Sequence, residues 1–402
     1  TIPMWGYALD AGGACYAAAD TADAACTGPA ASLPGPTMDM GADTDLNVYL
    51  TNLLPESTSI IISGQRNPVS VGSGPTWNDG STGNRTSATQ RVRSFGAEAA
   101  AGGKESYSWT AANAFDRTGS FIYHSGTSPQ KQVYMGLYGA VTRGAPVASD
   151  QEVTLFYSDI DPNHNASVDD GSYTTSIHYQ AQWFLINGEP YDSTNGVIPA
   201  GAAGSPTLLR LLSTASETHV PTLQGLYMDI HAEDGYVYNY QSGVSGAAGA
   251  AVPRTQYSAM MPPLKTKDAI IVAANAGTYA VYDGNGYMTN PSDPDAANPV
   301  GDTLGGMLRF LEFSAPAATG TGTTFICNRK DKRVVAEAPE GRKDAYYLNR
   351  MGTTTIPYSR GVLINDDPDA MLAQLASDPQ RGTLDAFNED GSFTYTINTI
   401  RT

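Results

Sequence analysis

Short runs of alternating hydrophobic and polar residues recur along most of the chain. Alternation with a period of two places every second side chain on one face, as in β-strands with one face in a core. Gly, Pro, Asn or Asp separate the runs, which predicts antiparallel strands joined by tight turns. The hydrophobic positions of these runs are Leu46, Val48 and Leu50; Phe121 and Tyr123; Val153, Leu155 and Tyr157; Trp183 and Leu185; Leu209 and Leu211; Ile270 and Val272; and Leu308 and Leu311.

The composition also indicates an all-β protein. The 402 residues include 42 Gly, 25 Pro and 23 Tyr, which favour strands and tight turns over helices. Two segments, 140–150 and the low-complexity 315–324, interrupt the strand pattern. We therefore predict a domain at 1–147, a second at 148–314, a linker at 315–342 and a small C-terminal module at 343–402.

The charge and hydropathy of the chain restrict its partners. A formal net charge of -17 would repel phosphate backbones and anionic lipid surfaces, so no nucleic-acid partner is expected. No apolar run approaches the roughly 18 residues of a membrane-spanning helix, so no membrane span is expected. The chain begins at Thr1 on the strand-like TIPMWGYALD, which we interpret as a mature secreted protein, extracellular or on the cell surface, after signal-peptide removal.

Three cysteines indicate an oxidising compartment. Cys15 and Cys26 stand with ten residues between them in a loop rich in Ala, Asp and Gly. We predict a disulfide between these two, with a pair of free thiols as the alternative. Cys327 has no obvious partner. The absence of a CxxC motif argues against a zinc ribbon.

Five segments carry a resemblance to a known family. PGPTMDMGADTDLNVYLTNLLPESTSIIISGQ (34–65) and GSFIYHSGTSPQKQVYMGLYGAV (119–141) resemble the first cupredoxin domain of multicopper oxidases. YQAQWFLINGEPY (179–191), TLLRLLSTASETHVPTLQGLYMDIHAEDG (207–235) and GGMLRFLEFSA (305–315) resemble the second. The resemblance implies two cupredoxin-like Greek-key domains of the β-sandwich or barrel type.

The same resemblance implies copper ligands that this chain mostly lacks. In the family, His-x-His pairs and a Cys hold copper, because alternate residues of a strand reach one metal cluster. The first pair would fall at Ile61 and Ser63, and the second at His124 and Gly126. Only His124 keeps a ligand-type side chain, and we interpret it as a hydrogen-bonded structural residue, with a residual metal site as the alternative.

The histidine content supports this interpretation. The chain contains five histidines, no two of which are two residues apart, and no His follows Cys327. A blue-copper site of two His and one Cys is therefore not expected near Cys327. We interpret His219 as a packing or surface residue. The histidines are His124, His164, His178, His219 and His231.

The C-terminal segment 345–397 resembles bacterial Ig-like or cadherin-like repeats. The motifs that carry the resemblance are GVLINDDPD (361–369), RGTL (381–384) and EDGSFTYT (389–396). The family implies a small β-sandwich that serves as a spacer or adhesive module, with possible calcium ligands at Asp366, Asp367 and Asp369. DIDPNHNASVDD (159–170) also has oxygen ligands at calcium-loop spacing, but His164 stands where such a loop needs Gly.

From these features we predict a secreted, copper-free protein with a structural role and no enzymatic activity. We expect no cofactor except a possible calcium ion, and a homo-oligomer or polymer as the partner arrangement. One form of this hypothesis is a filament in which the last strand, SFTYTINTI (392–400), pairs with a neighbouring copy. The alternatives are an active multicopper oxidase or other copper-binding oxidoreductase, and a surface module that binds a glycan or a protein.

Overall fold

The computed structural model describes residues 2–18, 30–68, 75–239, 251–290 and 303–316, together with 346, 352–357, 360, 362–363, 373, 379 and 382–397. The chain divides into two compact units, Thr1–Thr319 and Gly320–Thr402. Strands dominate the described parts of both units. The prediction of an all-β protein is confirmed.

In its described residues, the predicted first domain contains eight strands and short helical turns. β1, β8, β7 and β3 form a sheet in that order, and β2 pairs with β6 and β4 with β5. The helices are α1 (Ala14–Ala17) and α2 (Pro129–Gln132), and Ala111–Asn113 forms a 3-10 turn. The strands are β1 (Gly35–Asp39), β2 (Leu46–Thr51), β3 (Ile61–Ile62), β4 (Thr76–Trp77), β5 (Val92–Ser94), β6 (Lys104–Trp109), β7 (Gly119–His124) and β8 (Tyr138–Arg143).

The second domain packs a seven-stranded sheet against a four-stranded one. The larger sheet has the order β10-β9-β12-β17-β14-β15, with β16 also paired to β14, and the smaller has the order β11-β21-β18-β13. The remaining strands, β19 and β20, pair with each other. The elements are β9 (Gln151–Ile160), α3 (Pro162–Asp169), β10 (Trp183–Ile186), β11 (Val197–Ala202), β12 (Thr207–Ser213), β13 (Pro221–Leu223), β14 (Met228–Glu233), β15 (Tyr236–Val237), β16 (Arg254–Gln256), β17 (Lys265–Ile271), β18 (Gly277–Asp283), β19 (Thr289–Asn290), β20 (Thr303–Leu304) and β21 (Leu308–Ser314).

The predicted alternation is clearest where a strand has one open face. In β14 every second residue is buried, beginning with Met228. In β12 all seven residues are buried, because Leu209 and Leu211 face the second-domain core while Leu212 faces the first domain. For β17 the sequence pattern predicted that Ile270 and Val272 face the core. This prediction is wrong, since Ala269 and Ile271 fill the core and Val272 is 48% exposed.

A hydrophobic and ionic junction joins the two domains. Tyr138 of β8 stacks on Phe156 of β9 with ring centroids 5.3 Å apart. Asp268 of β17 accepts hydrogen bonds from the Ser120 N–H (3.0 Å) and Oγ (2.6 Å) of β7. The Arg210 guanidinium lies 3.3 Å from the same carboxylate. Because Arg210 also pairs with Glu152, removal of Arg210, rather than of Asp268, would leave an uncompensated buried charge.

One glycine makes the close approach at this junction possible. Gly119 has φ 123°, and a Cβ at this position would lie 2.6 Å from the Asp268 Oδ2 atom. Other residues would therefore meet both backbone strain and a steric clash there.

The predicted boundary at 147/148 falls between β8 and β9, which lie in different sheets.

The segment 159–170, where His164 argued against a calcium loop, is largely helical. Asp161 caps the N-terminus of α3, and its side chain accepts hydrogen bonds from the Asn163 and His164 N–H groups. Pro162 occupies the first helical turn, where its missing N–H costs nothing. Asp161 therefore serves as an Ncap residue.

The described strands of the C-terminal unit form one three-stranded sheet. They are β22 (Gly352–Ile356), β23 (Thr383–Phe387) and β24 (Phe393–Ile397), in the order β22-β24-β23. β24 therefore pairs on both sides with strands of its own chain, so it is not free to extend a neighbouring sheet. The hypothesis that this strand pairs with another copy is corrected accordingly. Asp366, Asp367 and Asp369 lie outside the described residues.

Candidate functional site

The antiparallel pairing of β3 with β7 brings the four predicted ligand positions of the first domain together. Ile61 stands directly opposite His124 in the register of the two strands. The Ser63 N–H continues the pairing by donating to the Ile122 carbonyl at 2.9 Å. Residues 61 and 63 thus share a face with residues 124 and 126.

The imidazole of His124 is held by neutral hydrogen bonds on both sides. Its Nδ1 atom lies 2.9 Å from the Ser125 carbonyl oxygen, so this nitrogen carries the proton. Its Nε2 atom lies 2.9 Å from the Ser63 hydroxyl, which donates to it. The side chain is buried, with 3% exposure, and burial lowers the pKa of His124. The structure therefore places a neutral, fully hydrogen-bonded imidazole at this position.

Ile61 occupies the space beside the other two positions. A Cβ on Gly126 would meet the Ile61 Cγ2 atom at 2.9 Å, and one on Gly96 would meet it at 3.2 Å. The isoleucine side chain therefore fits against two residues that have no side chain of their own. An imidazole at residue 126 would require Ile61 to move or to be replaced.

A buried network of hydroxyl and amide groups lies next to these positions. The Ser59 Oγ atom is 3.0 Å from the Oγ atom of Ser94 and 3.0 Å from the Oγ1 atom of Thr127. Gln132 accepts hydrogen bonds from Thr58 (2.9 Å) and Ser125 (2.5 Å). Because these groups satisfy one another, they can be buried without an ion.

The donor set at the β3 and β7 positions does not fit copper. Copper sites in proteins use imidazole, thiolate and thioether ligands. Here one imidazole stands beside a hydroxyl, an aliphatic side chain and a glycine, and both nitrogens of that imidazole are engaged. Within the described ranges, no group of three or more His, Cys, Asp or Glu residues is arranged to hold a metal ion.

Other predicted site residues are only partly described. Cys15 is disulfide-bonded, while Cys26 and Cys327 lie outside the described residues, so the pairing of Cys15 with Cys26 stays a prediction. No helix in the described part of the chain is long and apolar enough to cross a membrane.

A second buried histidine site was missed by sequence reasoning. His219 is 0% exposed, and its Nδ1 atom lies 2.8 Å from the Asp283 Oδ2 atom. On the other side, its Nε2 atom lies 4.0 Å from the Asp159 Oδ2 atom. The three residues are far apart in sequence and belong to no recognised motif, so only the fold reveals them.

Part of the chain matches a known family by sequence. Residues 15–143 match the family model described as multicopper oxidase. The predicted resemblance to multicopper oxidases is confirmed. No curated protein matches the chain by sequence. The Ig-like resemblance of residues 345–397 stays a prediction.

Solved structures of multicopper oxidases are similar to the chain in fold. The blue copper oxidase from Nitrosomonas europaea has a TM-score of 0.50 and 16% identity, over 70% of this chain and 77% of that one. A multicopper oxidase from Pseudomonas thermotolerans has a TM-score of 0.49 and 17% identity, over 71% and 57%. A laccase from Botrytis aclada has a TM-score of 0.48 and 19% identity, over 72% and 49%.

The family match corrects one prediction. We expected no enzymatic activity because copper ligands are missing, but the family matched by residues 15–143 is one of oxidases. The missing His-x-His pairs show only that one site of the first domain, at residues 61, 63, 124 and 126, lacks the ligands for copper. They are not sufficient grounds for classifying the chain as a non-enzyme.

Proposed function

We propose that the multicopper-oxidase fold serves here as a copper-free scaffold in a secreted, extracellular or cell-surface assembly. The observation that carries the proposal is the neutral arrangement at Ile61, Ser63 and His124, where hydrogen bonds and aliphatic packing take the place of metal ligands. A catalytic role for groups other than copper is compatible with this proposal.

The C-terminal sheet supports a specific mode of assembly. Among the described strands, β22 and β23 form its edges. β23 carries a register irregularity between Leu384 and Ala386 and a charge at Asp385, both features that protect an edge from pairing. β22, with the sequence GTTTI, has no charge, proline or irregularity. We therefore propose that copies associate by strand addition at the outer edge of β22.

The experiment combines copper analysis with sedimentation velocity and electron microscopy on the same secreted sample. The proposal predicts concentration-dependent polymers and copper far below one ion per chain. Several coppers per chain with an intense blue absorption band would overturn the copper-free scaffold. A monodisperse monomer would overturn the assembly, and glycan binding by that monomer would favour the binding-module alternative.

A matched pair of variants tests the edge. Thr353 on β22 and Thr383 on β23 are both exposed, and both stand opposite Thr396 on the central strand. A lysine on an open edge blocks strand addition. Thr353→Lys should therefore shift the sample to monomers, whereas Thr383→Lys should leave polymer size unchanged. Equal effects of the two variants would contradict assembly through β22.

A further inference from the structure

The His219 site joins the two sheets of the second domain at one end. His219 lies in the segment 214–220, which connects β12 of the larger sheet to β13 of the smaller sheet. Asp159 is at the end of β9 in the larger sheet, and Asp283 is at the end of β18 in the smaller one. The imidazole thus stands between carboxylates from opposite sheets.

Both carboxylates accept several hydrogen bonds and donate none. Asp159 accepts from the N–H and hydroxyl groups of Ser216 (2.9 and 2.8 Å) and from the Glu217 N–H (3.1 Å). Asp283 accepts from the Val220 N–H (2.7 Å) and from the Asn285 N–H (3.1 Å). An acceptor-only pattern of this kind is that of an ionised carboxylate. Two negative charges therefore face one buried ring.

The two ring nitrogens of His219 are not equivalent. Nδ1 is within hydrogen-bonding distance of Asp283, whereas Nε2 is buried and has no hydrogen-bond partner among the described residues. Nε2 lies 4.0 Å from the Asp159 carboxylate. A protonated Nε2 would be attracted to this anion, whereas the lone pair of an unprotonated Nε2 would be repelled by it. The interaction with Asp159 therefore depends on whether Nε2 carries a proton.

We propose that His219 is a proton-dependent latch between the two sheets. With both ring nitrogens protonated it holds Asp283 and Asp159 together. With one proton it holds Asp283 alone, and Asp159 then faces an uncharged ring. Loss of the second proton should loosen the segment 214–220, because its N–H groups bind these two carboxylates.

The aromatic groups around the ring do not supply the change of charge that the latch needs. Tyr157 of β9 and Tyr287 of the turn after β18 lie beside the imidazole, and Phe184 of β10 is uncharged. Burial raises the pKa of both tyrosines. For Tyr287, the charges of Glu217, Asp283 and Asp159 raise it further, in line with a negative potential at this site. The ring of His219, placed between the two carboxylates, is therefore the group of this site on which the latch depends.

Amide hydrogen exchange measures the latch directly. The reporting amides are Ser216, Glu217 and Val220, since their N–H groups bind the two carboxylates. In the full wild-type chain, their protection, corrected for intrinsic exchange, should fall about tenfold or more between about pH 5 and about pH 9. Protection that does not change over this range would overturn the proposal.

Two variants and one spectroscopic measurement complete the test. His219→Asn keeps a donor toward Asp283 but cannot titrate, so protection should lose its pH dependence. His178→Asn, at an exposed histidine, should behave as wild type. If His219→Asn does not fold, ring nitrogen shifts of wild-type His219 decide the question. A change from two protonated nitrogens to one must accompany the loss of protection, and a ring that keeps one state throughout would contradict the latch.

Discussion

His124 and His219 are both buried histidines whose Nδ1 atom is within hydrogen-bonding distance of an oxygen, but their second nitrogens face different chemistry. The Nε2 atom of His124 meets the hydroxyl of Ser63, which can donate to a neutral ring. The Nε2 atom of His219 faces the Asp159 carboxylate, which can only accept. The two buried rings therefore differ in the partner of the second nitrogen, a hydroxyl for His124 and a carboxylate for His219.

The difference also shows how each domain satisfies its buried polar groups. Around His124 the partners are neutral hydroxyl and amide groups that bond to one another. At His219 they are carboxylates with charged or backbone partners, and a second ionic cluster at Asp268 and Arg210 lies at the domain junction. Neutral networks tolerate the loss of one member better than buried ionic clusters do.

The largest expected effect comes from removing a carboxylate of the ionic site. Asp283→Ala should lower the free energy of unfolding by about 3–5 kcal/mol, because it leaves His219 and the Val220 N–H without their partner in a buried site. Urea denaturation of the purified chain measures the change.

The corresponding substitution at the neutral site around His124 should lower the free energy of unfolding by less. Ser63→Ala removes the hydroxyl that donates to His124, for about 0.5–1.5 kcal/mol. Asp116→Ala, at a side chain with 68% exposure, serves as the surface control and should change stability by less than about 0.5 kcal/mol. Similar costs for Asp283→Ala and Ser63→Ala would remove the distinction between ionic and neutral sites.

A third substitution tests the packing at the ligand positions that the resemblance implied, with an expected cost between those of Asp283→Ala and Ser63→Ala. Gly126→Ala should destabilise the protein by about 1–3 kcal/mol, because the new methyl group meets Ile61 and Ser59 at 2.9 Å. Gly126 is not among the residues with positive φ, so alanine introduces no backbone strain.

The test of this packing is a double-mutant cycle. Ile61→Ala removes the colliding Cγ2 atom, so the Gly126→Ala cost should be smaller in the Ile61→Ala background. The free energies of unfolding of the four proteins give the coupling. Strictly additive effects would mean that residues 61 and 126 do not share one space.

Much of the fold could be predicted from the sequence, because strand alternation depends on local chemistry. Phe121, Tyr123, Leu155 and Tyr157 fill cores as the pattern predicts. The pattern assigned Ile270 to the wrong face of its strand. Neighbouring residues on both faces are buried there, so alternation no longer identifies the side that faces the core. Strands covered on both faces lose the period-two signal.

Of the candidate sites, one could be located from the sequence and one could not. Residues 61, 63, 124 and 126 could be located because each pair belongs to one strand and one motif. The site of His219 could not, since Asp159 and Asp283 come from strands of opposite sheets and only the sandwich brings them together. The capping role of Asp161 was missed, because Asp spacing alone does not distinguish an ion ligand from a helix cap.

The smallest expected effect is the pH dependence of the neutral site. Burial lowers the pKa of His124 below its ordinary value of about 6.5, so the unfolded chain binds a proton more readily than the folded one. The contribution of His124 to stability is therefore present above about pH 6.5 and is lost as the pH falls, by at most about 1.4 kcal/mol per pH unit.

Comparison with His124→Gln isolates this contribution, because the amide cannot titrate while its oxygen can accept from Ser63. The difference in free energy of unfolding between wild type and variant should shrink as the pH falls from about 7 to about 5. A difference for His124→Gln that grows toward acid would show that the ring of His124 gains a proton on folding, and a flat difference would show that its pKa does not change on folding. Either result would contradict the neutral site.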